Sequence, residues 1–281
     1  MSQRRFGRRY RVTIQNPRGE QYVITPPLTF RCDITRNVQS EANEFNATIV
    51  NLRPQTRNGI FKDRYAVTEY WQVRIEAGYR TLHTVFLGNL YESYSYKEGS
   101  EWYTELSGYD GLFGIQNGLV AESFSAGTNI ADEISAVSSS MPNVLAGDFG
   151  APAQGQTERG HSYFGRPRDV LEQIVGDNWY IDGEKLYVAD ALEVIRQEVA
   201  VFDSRELLST PRRRETFLDF EILFYPEINV GQWAEVRSLN EVYNGQYKVI
   251  GFTHNFEWSG AESGEAKTQV QLLAGAEGLS A

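Results

Sequence analysis

Residues 28–34 read Leu28-Thr-Phe-Arg-Cys-Asp-Ile34, with Leu28, Phe30, Cys32 and Ile34 apolar and the residues between them polar. Successive side chains of a strand point to opposite faces, so this period of two predicts a strand with one face in a core and one in water. The same alternation runs through Tyr10, Val12 and Ile14, through Phe45, Ala47 and Ile49, and through Trp71, Val73 and Ile75. Asn16-Pro-Arg-Gly19 reads as a turn between the first two strands. Val85–Leu90 and Trp102–Leu106 add strands joined through Lys97-Glu-Gly-Ser100, and a short helix is expected near Pro54–Lys62, with proline at an early helical position. Short strands at near-regular spacing indicate a barrel or sandwich. Cys32 falls on the inward parity of its strand and reads as a buried core thiol.

Beyond residue 108 the period changes. Ile130, Ile134 and Val137 fall at helical spacing after Thr128 or Asn129 as N-cap, and Pro142 closes the segment. A second helix is expected from Pro167, with Val170, Leu171, Ile174 and Val175 on one face and Gly176 as its stop. Between them, residues 147–165 carry five glycines and read as a long loop. Trp179–Val188 reads as a hairpin around Asp182-Gly183. Strands then return at Phe217–Tyr225, Gln232–Arg237, Tyr247–Trp258 and Thr268–Leu273, with Asn244-Gly245 as a turn. The expected division is a β-rich domain over 1–108 with a basic N-terminal arm, an α+β insert over 109–190, and a second β-rich domain over 191–281.

Composition narrows the function classes. The chain has 281 residues, 41% of them hydrophobic, enough for about two domains with real cores. It carries 37 acidic against 27 basic side chains, a net charge of -10, which disfavours general nucleic-acid binding. The charge is uneven. Residues 1–108 hold 15 basic and 11 acidic groups, 109–190 hold 4 and 12, and 191–281 hold 8 and 14. No apolar run approaches the ~18 residues of a membrane span. The opening MSQRRFGRRYRV lacks the apolar stretch of a secretory signal. One cysteine and three scattered histidines make a metal cluster improbable, and no cofactor is expected.

No catalytic signature emerges. Gly108-Tyr-Asp-Gly111 with Gly114 looks loop-like and lacks the strand–loop–helix context of a phosphate site. Asp219 and Glu221 share a strand face and could be imagined as a glycosidase pair, but they read as a solvated face. His254, in mid-strand, reads as a structural hydrogen-bonder. Two arginine groups stand out as candidate interfaces: Arg4, Arg5, Arg8, Arg9 and Arg11 at the start, and Arg212, Arg213 and Arg214 in a loop after Pro211. Arginine outnumbers lysine 22 to 5, a bias that suits bidentate contacts with carboxylates. The N-terminal group is expected to dock on an acidic neighbour.

The order of these pieces resembles the baseplate hub proteins of tailed bacteriophages. Asn46-Ala-Thr-Ile-Val-Asn-Leu52, Val73-Arg-Ile-Glu-Ala-Gly-Tyr79 and Val85-Phe-Leu-Gly88 resemble the family's first domain. Leu207-Leu-Ser-Thr-Pro211, Leu223-Phe-Tyr-Pro226 and Tyr243–Gly251 leading to His254 resemble its closing domain. The resemblance implies a mainly β fold, with two small tube-type β-barrel domains flanking a small α+β domain. It implies a non-enzymatic homotrimer that adapts a sixfold tail tube to a threefold spike and forms part of the DNA channel. The implied partners are the tail spike protein, a tail tube or tube-adaptor protein, other baseplate proteins and the tape measure protein, with DNA only in transit. The implied place is the virion tail, assembled in the host cytoplasm. A distal tail protein, or the hub of a tail-derived secretion device, would share the barrels. A glycan- or peptidoglycan-acting tail protein is the rival of another class, with Trp102, Trp179, Trp233 and Trp258 as candidates to line a sugar groove.

Overall fold

The computed structural model describes residues 7–259 and 264–275. The chain opens with β1 (Arg9–Gln15), β2 (Gln21–Ile24), β3 (Phe30–Asn37), β4 (Glu44–Val50), helix α1 (Pro54–Gly59), β5 (Gln72–Gly78), β6 (His83–Glu98) and β7 (Glu101–Tyr109). The insert follows as α2 (Leu112–Asn117), β8 (Val120–Phe124), α3 (Ile130–Ser140), β9 (Leu145–Phe149), β10 (His161–Gly165), α4 (Pro167–Val175), β11 (Trp179–Ile181) and β12 (Lys185–Val188). The last third supplies β13 (Arg196–Asp203), β14 (Arg212–Arg214), β15 (Phe217–Leu223), β16 (Gln232–Arg237), β17 (Gly245–Trp258) and β18 (Ala266–Leu273).

The opening strands line up as β17-β3-β4-β7-β6-β5-β1-β2. This row curls until its ends meet. Tyr10 of β1 stacks on Phe30 of β3 at 4.7 Å and meets Trp258 of β17 edge-on at 5.6 Å, and its hydroxyl donates to the Leu28 carbonyl at 2.6 Å. Strands far apart in hydrogen-bonding order thus share one core, which is the property of a barrel. Its lining is the inward parity read from sequence: Val12, Ile14, Phe30, Cys32, Ile34, Phe45, Ile49, Val73 and Ile75 are all buried. Phe224, Phe256 and Trp258 reach this core from the closing third.

The second barrel runs β14-β15-β18-β17-β16-β13. It closes where the segment after β13 returns to β15: Leu208 N–H donates to the Glu221 carbonyl at 2.8 Å, and Leu223 N–H to the Glu206 carbonyl at 3.1 Å. Phe202 of β13 meets Phe220 of β15 edge-on across its core.

One strand belongs to both barrels. Along one edge, β17 pairs with β18 over residues 248–256; along the other it pairs with β16 over residues 245–248 and with β3 over 251–258. The change of partner coincides with a register shift between Val249 and Gly251. A bulge bends a strand and raises its twist, which lets one continuous strand feed two differently oriented barrels.

The insert has its own core of Val120, Ile134, Val137, Val170, Leu171, Trp179 and Leu186 among others, enclosed by α3, α4 and two small sheets. The glycine-rich stretch 147–165 differs from the expected loop. Its ends are strands: β9 pairs in parallel with β12, and β10 pairs antiparallel with β8. Ladders to strands distant in sequence satisfy the backbone there, although the sequence has few β-formers. The Gly108–Gly114 stretch likewise belongs to the end of β7 and the start of α2. The first turn pairs β1 with β2 at 21–24, a short strand the alternation did not single out.

Candidate functional site: the interdomain seam and the arginine surfaces

The β11–β12 hairpin of the insert wedges its tip between the two barrels. Gly183 and Glu184 both take positive φ, +62° and +61°, and Asp182 N–H donates to the Lys185 carbonyl at 2.9 Å. That is a primed two-residue turn centred on Gly183-Glu184, one residue later than the Asp182-Gly183 centre expected from sequence, with Gly183 free of the Cβ clash that positive φ brings. The turn leaves three groups pointing into the seam: the Asp182 carboxylate and the N–H groups of residues 183 and 184.

Each is met by a side chain from a barrel. Asp182 accepts a two-pronged contact from Arg36 of β3, Nε and Nη2 both at 2.7 Å, and a third bond from Arg196 Nη2 of β13 at 2.7 Å. The Asp110 carboxylate, one residue beyond β7, accepts Gly183 N–H at 2.6 Å and Glu184 N–H at 2.9 Å. Asn43 Nδ2 donates to the Ile181 carbonyl at 2.9 Å, and Tyr70 donates its hydroxyl to Glu184. Arg36 also reaches Asn229 of the second barrel at 3.2 Å. One aspartate therefore ties first barrel, insert and second barrel together.

The electrostatics of the two aspartates diverge. Burial opposes ionisation of Asp182, but Arg36 and Arg196 outweigh it and hold its pKa below the ordinary carboxylate range. Asp110 is pushed up to about 8, first by burial and then by the neighbouring Asp182 charge, only partly offset by its two backbone donors. Close packing supports the geometry: at Gly111, with φ +75°, an added Cβ would sit 2.6 Å from the Ile181 side chain.

The arginines singled out as interfaces fall in two other places. Arg4 and Arg5 lie outside the described residues. Arg9 and Arg11 are not on a detached arm. They face outward from β1, where Arg11 Nη1 lies 3.5 Å from Glu76, and Arg8 packs 5.9 Å from the Trp258 ring. Arg212, Arg213 and Arg214 are not in a loop. They form β14, an exposed edge strand paired on one side with β15. Pro211 breaks the preceding ladder, and three consecutive charges keep the strand short.

The imagined catalytic features resolve into packing and surface pairing. Asp219 lies 3.9 Å from Arg214, and Glu221 lies 3.5 Å from Lys267. Trp179, Trp233 and Trp258 are buried, and Trp102 is half-buried with the Arg57 guanidinium 3.5 Å over its ring. His254 is fully buried, its Nδ1 2.9 Å from the Thr268 hydroxyl. Burial, with a smaller contribution from the Arg36 charge, drives its pKa down to about 3. Among the described residues, no group of three potential metal ligands converges, and no helix is long and apolar enough to cross a membrane.

Two further cations are buried without a carboxylate partner in hydrogen-bond contact, and alternation alone did not mark them. Lys62 donates to the Leu90 carbonyl and, at 3.0 Å, to that of Glu69, and Lys248 donates to the carbonyls of Asp190 and Ala191 at 3.0 Å each. Burial brings each pKa down to about 8.

Comparison with known proteins supplies the rest. The family described as Baseplate hub gp41 matches residues 9–260. No curated protein sequence matches the chain. Among solved structures, the fold is similar to a tail protein from Neisseria meningitidis MC58, with a TM-score of 0.61, 13% identity, and coverage of 95% of this chain and 97% of that one. It is similar to the 43 kDa tail protein of prophage MuSo2 from Shewanella oneidensis, with a TM-score of 0.62, 10% identity, and coverage of 94% and 96%. It is also similar to the E. coli c3393 protein, a component of the type VI secretion system, with a TM-score of 0.59, 8% identity, and coverage of 95% and 79%.

Proposed function

The chain belongs to the baseplate hub family, structural components of phage tails, and from that premise we propose that it is the hub that joins a sixfold tail tube to a threefold central spike. Three copies form the hub, and their two barrels each make a ring of six similar units around a channel through which DNA passes. The observation that carries this reading is β17. A single strand shared by both barrels fixes their relative placement inside one chain, as a quasi-sixfold ring built from a trimer requires. The seam around Asp182 supports the same rigidity. The partners are the spike, the tube or a tube adaptor, other baseplate proteins and the tape measure protein. The hub performs no chemistry of its own. It is built in the host cytoplasm and carried in the virion tail.

The acidic bulk suits such a channel, since a negative lining repels a passing duplex. The fold alone also fits the hub of a tail-derived secretion device, as the likeness to the type VI component illustrates; the family match favours the phage tail. Light scattering on the purified chain mixed with its spike tests the proposal. The expected result is a complex with three copies of this chain. A chain that stays monomeric and never joins the spike overturns it.

A further inference from the structure

Beside the seam lies an open cleft of about 340 Å³ between the outer face of β5–β6, the β11–β12 hairpin and β13. Its wall brings together Arg36, Arg74, Lys185 and Arg196 from four different strands. Two carboxylates face them, Asp110 and Asp182. Asp182 is already spent on Arg36 and Arg196. Asp110 is turned to the backbone N–H groups of the hairpin, and its pKa of about 8 keeps it largely protonated at neutral pH. Arg74 and Lys185 are exposed at the mouth, where the Arg74 charge acts on the nearby Glu184 carboxylate. Four cations thus gather in a recess that solvent screens less than open surface, against the carboxylate of Asp182 and, beside Arg74, that of Glu184. Arg196 is held in place by Asp182 and by the Tyr187 ring 4.5 Å away, so part of the cationic wall is preorganised.

We propose that this cleft is an anion-binding site that takes a compact organic polyanion, one carrying two or more carboxylate or phosphate groups, with Arg74 and Lys185 closing on it from the mouth. A single small oxyanion would meet too few of these donors at once, whereas the cleft is large enough for a molecule of tricarboxylate size. Bound there, the ligand would bridge β5 of the first barrel and β12 of the insert, and would stabilise the seam by mass action.

The test is a thermal-shift and calorimetric titration of the full chain with citrate as the probe, at constant ionic strength, with inorganic phosphate and chloride as comparisons. The double variant Arg74→Gln/Lys185→Gln is run beside it. It leaves the Asp182 cluster untouched, so it should fold. The expected result is a saturable rise in Tm with one citrate bound per chain, a smaller response to phosphate, none to chloride, and at least a tenfold loss of citrate affinity in the variant. An equal response in the two proteins, or no saturable citrate binding to the unaltered chain, overturns the site. Either result leaves the assembly role intact, because trimer formation with the spike is read separately.

Discussion

Two of the places where arginine gathers in this molecule are built in opposite ways. At the seam, Arg36 and Arg196 are nearly covered, with side-chain exposures of 9% and 14%, and both point at the one carboxylate of Asp182. On β14, Arg212, Arg213 and Arg214 all face solvent, and Asp219 is met only at 3.9 Å. The same side chain thus does two jobs. Buried and paired by two prongs, it fixes how three modules sit together, and its loss strands a charge in a poor solvent. Exposed on a strand edge, it adds little to the fold, and its donors stay open to whatever docks there.

The contrast breaks first, and hardest, at Asp182. Replacing Asp182 with Asn removes the charge that two buried guanidinium groups share. Breaking a buried pair from one side typically costs about 3–5 kcal/mol. Urea denaturation followed by fluorescence should show a loss in that range. The seam should also open before the barrels unfold, visible as faster hydrogen exchange at residues 181–185. A loss under about 1 kcal/mol would mean the seam is solvated and the comparison fails.

Asp110 sharpens the same side of the contrast through pH. Folded, it keeps its proton up to about pH 8; unfolded, it ionises near the ordinary carboxylate value of about 3.9. Between those values the folded chain holds a proton that the unfolded chain has released, so this group's contribution falls as pH rises. Asp182 works in the other direction. Its pKa is depressed, so its contribution is present above the unfolded carboxylate value and is lost as pH falls through the folded one. Asp110→Asn should flatten the fall in stability between about pH 4 and 8. It should also cost about 1–3 kcal/mol at acid pH, because the amide nitrogen cannot accept the second hairpin N–H. A slope unchanged by the substitution would assign the fall to another carboxyl raised by burial, of which Glu184 is the nearest, since the lowered lysines Lys62 and Lys248 act in the opposite sense and only above about pH 8.

How much of this was legible in the sequence follows from parity. The alternation at Leu28–Ile34 located β3 and its inward face, and Cys32 is buried as that alternation requires. The next in-phase position is Arg36, an arginine at a core parity and itself buried. That mismatch was a readable sign that a carboxylate had to arrive from elsewhere. Its partner, Asp182, was read only as a turn residue of the Asp182-Gly183 hairpin. Turn chemistry is local, whereas the pairing spans 146 residues of chain, and no periodicity encodes it. The same limit hid β17's double role. Residues 247–258 read as a strand, but which strands lie along its two edges is a property of long-range closure. The outward arginines of β14 lack any inward phase, since the strand is three residues long, and they read as loop for that reason.

Arg11 provides an intermediate case. It faces Glu76 across the β1–β5 ladder at 3.5 Å, with side-chain exposures of 47% and 18%. Cross-strand ion pairs of this exposure are screened by water and salt and contribute about 0.2–1 kcal/mol. Arg11→Gln should therefore lower stability by no more than that, and the difference should fade in 1 M salt. An effect persisting at high salt would place Arg11 closer to the buried class than its exposure implies.

The smallest expected change in stability, and the largest in assembly, belongs to β14. Substituting Arg212, Arg213 and Arg214 together with Gln removes three exposed charges from an edge strand and leaves its backbone pairing with β15 intact. Surface substitutions of this kind usually stay within about 0.5 kcal/mol each, so the variant should fold with a nearly unchanged denaturation midpoint. The rest of the chain is strongly acidic: without these three arginines it carries 24 basic and 37 acidic groups, and a partner docking on β14 must tolerate that field. An acidic protein surface can do so only through short, bidentate contacts from these arginines, and such contacts weaken steeply as salt rises. The variant should therefore assemble poorly with its tail partners at physiological salt, while the unaltered chain should lose its own assembly as salt is raised. Normal assembly of the triple variant would show that the exposed arginines keep the edge soluble and do nothing more.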